Sequence, residues 1–61
     1  REWLIKIRIE NKKSQNELAK LCNITDSFYC MIENGKRNPS IKVAKLIAKN
    51  LNFEWTNFFA N

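Results

Sequence analysis

The residues of this 61-residue chain that could do chemistry are few: Cys22, Cys30, six Asp and Glu, and no His. The two cysteines do not form a C-x-x-C pair, so neither a zinc site nor a dithiol redox motif is suggested, and free thiols in a reducing compartment are expected. No nucleophile stands at helical spacing from a base, and the acids are scattered. The expectation is therefore a protein that is not an enzyme, with no metal, no cofactor and no small-molecule substrate.

What remains is charge. Eleven Lys and Arg against six Asp and Glu give a net charge of +5, which favours a polyanionic partner. The excess is lopsided: residues 1–35 hold six basic and five acidic side chains, residues 36–61 five and one. An anion-facing edge is thus expected to begin near Lys36; the alternative is a solvated lysine stripe. No apolar run approaches about 18 residues and no leader pattern opens the chain. A soluble, cytoplasmic protein without a membrane is expected, and a first residue that is Arg1 rather than Met suggests a trimmed start.

These side chains need a scaffold, and the apolar spacing predicts short helices. With one Gly and one Pro there is little punctuation for an all-β sandwich. In residues 2–11, Leu4, Ile7 and Arg8 share one face with Trp3 beside them, which predicts helix 1. Ser14-Gln15-Asn16-Glu17 matches the S-x-x-E capping box, so helix 2 starts there and buries Leu18, Ala19 and Cys22. Asn23 suits a left-handed helix exit, and Thr25 can cap helix 3, residues 26–34. On helix 3, Thr25, Phe28, Tyr29 and Ile32 fall on one face and Ser27, Cys30 and Asn34 on the other. Asn34-Gly35 ends it, and Lys36-Arg37-Asn38-Pro39 is a basic loop. Ser40 can cap helix 4, whose stripe is Ile41, Ala44, Ile47, Ala48 and Leu51. Asn52 repeats the Asn exit, and Trp55, Phe58 and Phe59 predict a short fifth helix.

Three residues between helices 2 and 3 are too few for a comfortable antiparallel pair but suit a crossing near 90–120°. The small side chain of Ala19 permits close approach, and Ile24 with Leu18 and Ile32 closes a wedge of core. The segment behind the turn can then project from the body.

Taken together, these segments resemble the Cro/repressor (XRE-like) class of helix-turn-helix regulators. The matching elements are Arg8, "SQNELA" at 14–19, "IENGKRNPS" at 32–40, "VAKLIAKNL" at 43–51 and "EWTNFF" at 54–59. The likeness covers nearly the whole chain. It implies an all-α fold, a compact five-helix lambda-repressor-like domain over residues 1–61, with the helix-turn-helix formed by helices 2 and 3. Asn23 and Asn52 stand where the family usually has Gly, and Lys12 and Lys13 where Gly and an apolar residue are common.

By this resemblance Gln15, Asn34, Lys36 and Arg37 bind DNA phosphates, the first at a helix N-terminus. Asp26, Ser27 and Met31 face base edges, with Cys30 and Thr25 at the margin. Asp26 either accepts from a cytosine amino group or only stabilises its helix terminus; Met31 either lies against a thymine methyl or is partly covered core. Arg8 and Glu33 form a buried ion pair, and Arg8's place on an apolar face independently suggests a buried partner. Trp55, Phe58 and Phe59 are the dimer-interface candidates, with core closure as their alternative.

The expected function is sequence-specific binding of double-stranded DNA as a phage or bacterial transcriptional regulator, a repressor, acting as a homodimer on a pseudo-palindromic operator. The competing reading is a protein-interaction module on the same fold, an antitoxin or adaptor whose helix 3 contacts a protein.

Overall fold

The computed structural model describes residues 1–60, which form four α-helices, α1 (Glu2–Glu10), α2 (Gln15–Leu21), α3 (Asp26–Glu33) and α4 (Ile41–Leu51), and a 3-10 helix (Trp55–Phe59). No strand occurs among the described residues.

Local chemistry sets most boundaries. At the start of α2 the Ser14 hydroxyl accepts from the Glu17 N–H at 3.0 Å while the Glu17 carboxylate accepts from the Ser14 N–H at 3.0 Å. Thr25 accepts from the Phe28 N–H at 3.0 Å and Ser40 from the Val43 N–H at 3.2 Å. Each such cap contributes about 1 kcal/mol by satisfying a donor the helix cannot. Past the helix ends the backbone turns left-handed: Lys12 at φ 57°, Asn23 at 58°, Gly35 at 78° and Asn52 at 61°. Asn tolerates that region, whereas a long side chain is strained there. Lys12 thus takes up the conformation that a glycine would adopt freely.

Packing follows from the small residues. Ala19 has no exposed surface, and its carbonyl accepts from the Ile24 N–H at 3.0 Å, so the turn folds back directly onto α2. Tyr29 and Ile32 of α3, Leu4 of α1, Leu18 and Cys22 near α2, and Ala44, Ile47 and Leu51 of α4 complete the core. Cys22 and Cys30 are both free thiols.

Two features depart from the sequence pattern. Ile41 is 57% exposed, because it opens α4 beyond the edge of the core and the inner stripe begins at Ala44. The segment expected to form a fifth helix is a 3-10 turn; it is five residues long, rich in poor helix formers, and its Glu54 cap makes no side-chain bond. Phe58 packs in the core, the alternative to a dimer surface. It is 7% exposed and meets Trp3 edge-on at 5.2 Å and Phe53 at 5.7 Å. Trp55 is half-buried under Lys45, whose Nζ lies 5.1 Å from the ring centroid, and Phe59 stays 48% exposed.

The two neighbouring phenylalanines should behave differently. Phe58→Ala is expected to lower unfolding free energy by about 3–5 kcal/mol, and Phe59→Ala by about 0.5 kcal/mol or less, both read by urea denaturation. Equal losses would contradict this division.

Candidate nucleic-acid interface

The site begins with a buried charge. Glu33 closes α3 and is 1% exposed. A carboxylate so deep must be paired and hydrogen-bonded. Arg8 of α1 supplies the fork: Nε donates to Glu33 Oε2 at 2.7 Å and Nη2 to Oε1 at 3.2 Å. Gln15, the first residue of α2, donates its Nε2 to the same Oε1 at 2.9 Å. The remaining Arg8 nitrogen, Nη1, donates to the Lys13 carbonyl at 2.9 Å and so fixes the α1–α2 connection. Three helices thus meet on one carboxylate.

Gln15 is thereby turned toward the buried carboxylate. Its amide nitrogen serves Glu33 first, because after Arg8 has bound, Oε1 still has a lone pair to satisfy in a dry site. Beside the same carboxylate, the Tyr29 hydroxyl is buried and closes no well-formed hydrogen bond. Burial, with the nearby Glu33 charge, holds its pKa far above the ordinary tyrosine value.

Opposite that buried seam, α3 turns a polar face outward. Thr25, Asp26 and Ser27 are exposed at its start, Cys30 and Met31 are half-buried along it, and Asn34 is exposed at its end. Asn34 Nδ2 donates to Cys30 Sγ at 3.4 Å. Asp26 is not free: Asn16 of α2 donates its Nδ2 to Asp26 Oδ2 at 2.7 Å, bridging the two helices across the turn. Lys36 and Arg37 are exposed directly after α3, their backbone N–H groups both donating to the Met31 carbonyl, at 2.9 and 3.2 Å. The basic loop is therefore curled against the helix it follows.

Arg1 holds that loop from behind. Its guanidinium donates to the carbonyls of Ile32 and Arg37 and to Asn38 Oδ1, and stacks on Phe58 with Cζ 5.5 Å from the ring centroid. Nothing in the spacing pointed to Arg1, Asn16 or the inward turn of Gln15; each is a contact between distant parts of the chain. Among the described residues no three of Asp, Glu and Cys come together as a metal site requires, and no helix is long and apolar enough to cross a membrane.

A helix-turn-helix family model matches residues 4–57, nearly all of the segment just described. The chain belongs to the helix-turn-helix family. Over 59 residues it is 49% identical to an uncharacterized HTH-type transcriptional regulator, YqaF, of Bacillus subtilis strain 168, a match that covers 97% of this chain and 78% of that protein. No solved structure gives a significant match.

Within this helix-turn-helix, Glu33 sets an acid limit on stability. Desolvation pushes its pKa up, but the hydrogen bonds from Arg8 and Gln15, the nearby Tyr29 hydroxyl and the Arg8 charge together hold it below the ordinary 4.5. A carboxylate lowered on folding contributes stability that is fully present above its unfolded value and lost as pH falls through the folded one. Denaturation midpoints measured from pH 7 to 3 should therefore be level until near 4.5 and then fall. Glu33→Gln should cost about 3–5 kcal/mol at pH 7 by stranding Arg8 and should flatten the acid fall.

Proposed function

We propose that the chain binds double-stranded DNA by sequence and regulates transcription in the cytoplasm, as a repressor. In this reading α3 enters the major groove. An α-helix with its side chains is about 10–12 Å across, which a groove about 12 Å wide admits.

The observation that carries the proposal is the two-sidedness of α3. Tyr29, Ile32 and Glu33 are sealed against the body, while Asp26, Ser27, Asn34, Lys36 and Arg37 form one exposed polar run ending in two cations. Lys36 and Arg37 grip phosphates on one side of the groove, with Asn34 beside them. Gln15 contributes only its second amide N–H and the free N–H groups of the α2 terminus. Asp26 and Ser27 face the bases first, Met31 can rest on a thymine methyl, and Thr25 and Cys30 lie at the margin. The Bacillus relative is named as a transcriptional regulator, which supports the same reading.

Few base pairs are read by one short helix, so we infer a two-fold homodimer on half-sites about 34–36 Å apart. With Phe58 in the core, Phe59 and the outer edge of Trp55 are the surface left for it. Residues 1–61 act as a single domain in this account, which invokes binding rather than catalysis. One feature favours the rival reading, a protein partner for α3: that helix carries Asp26 and no Lys or Arg.

Selection from a random duplex pool separates the two. A dyad-symmetric consensus is expected, with affinity falling as salt rises at a log–log slope of about −0.9 per neutralised phosphate. Lys36→Ala with Arg37→Ala should make that slope shallower by about 2. No salt-dependent binding to any duplex would favour the protein partner.

A further inference from the structure

We infer that Asn16 is a specificity-positioning residue: it fixes the Asp26 carboxylate so that the other carboxylate oxygen reads a cytosine amino group. The inference rests on the DNA reading above and adds to it a residue outside α3 that never needs to touch a base.

Asp26 opens α3 and is exposed. An unanchored aspartate there would turn freely about its last torsion, which is broad because it joins sp³ to sp² carbon. It would also be pushed away by phosphates on either side of the groove. The contact from Asn16 changes both conditions. Because a carboxylate accepts and cannot donate, the Asn16 amide must present its nitrogen, and the 2.7 Å bond ties one oxygen, Oδ2, to α2. The plane of the carboxylate is thereby set, and Oδ1 remains as a single acceptor with one orientation.

In the major groove that acceptor suits cytosine best, whose N4 amino group is a donor with no acceptor on the same base edge. Adenine offers a donor beside the N7 acceptor, while guanine and thymine offer acceptors that a carboxylate repels. Asn16 itself is anchored by position: it follows Gln15, which is held by Glu33, within the capped first turn of α2. The buried seam is thus transmitted to the groove through two adjacent residues.

The test uses the full chain and the duplexes selected from a random pool. Wild type should prefer cytosine at one position per half-site by roughly 5- to 150-fold, the range of one good base contact. Asn16→Ala should reduce that preference to within about threefold, leaving the other positions, the affinity for a non-specific duplex and the salt slope unchanged. Asp26→Ala should abolish it, and the double variant should match Asp26→Ala, since Asn16 acts only through Asp26. Thermal midpoints of the three variants identify any that fail to fold. The proposal is overturned if Asn16→Ala keeps the wild-type preference, or weakens all duplexes alike without changing it. It also fails if no position depends on Asp26. A wild-type chain that binds no duplex would instead overturn the DNA reading beneath it.

Discussion

The buried carboxylate of Glu33 is the interaction on which the rest of the molecule depends. It lies at the last residue of α3 and accepts from Arg8 of α1 and Gln15 of α2, so the end of α3 cannot shift without breaking bonds to both other helices. Such a pair is costly to desolvate, and replacing it whole by apolar residues is often neutral for stability. Its value here is orientation. Arg8 also holds the Lys13 carbonyl, so the same guanidinium fixes the strained bend at Lys12 and with it the direction in which α2 starts.

From that fixed seam the outward face of α3 follows. One side of α3 is committed to Tyr29, Ile32 and Glu33, and the other, from Thr25 through Ser27 to Asn34, lies at the surface. Cations were kept off α3 and gathered after it, at Lys36 and Arg37, where Arg1 clamps the backbone from the rear. In the proposed DNA reading, this division has the loop supply sequence-independent attraction while α3 offers neutral and acidic groups to the bases, which would favour discrimination over raw affinity.

Much of this was legible in the sequence because it is local. The Ser14–Glu17 capping box, the Thr25 and Ser40 caps and the Asn exits depend on residues within a few positions of one another, and Ala19 marks the crossing by its size alone. The Arg8–Glu33 pairing was legible only through likeness to a family, with Arg8 on an apolar face as its one independent sign. What could not be read joins distant positions: Gln15 to Glu33, Asn16 to Asp26, Arg1 to Asn38. Polar contacts of this kind leave no periodic trace. Phe58 and Phe59 are adjacent and chemically identical, so only the backbone's turn decides which is buried, and Ile41 fell outside the core because helix periodicity says nothing of where a helix's packed length begins.

The chain carries its own reporter for the claim that the outer face of α3 meets DNA. Cys30 lies half-buried on that face, whereas Cys22 is 2% exposed and burial pushes its thiol pKa up, so alkylation proceeds chiefly at Cys30. The most direct measurement is the rate of Cys30 alkylation with and without a saturating selected duplex. With α3 in the groove, alkylation should slow several-fold, and salt should reverse the slowing as the complex dissociates. An unchanged rate at saturation would mean that α3 is not the face in contact with DNA.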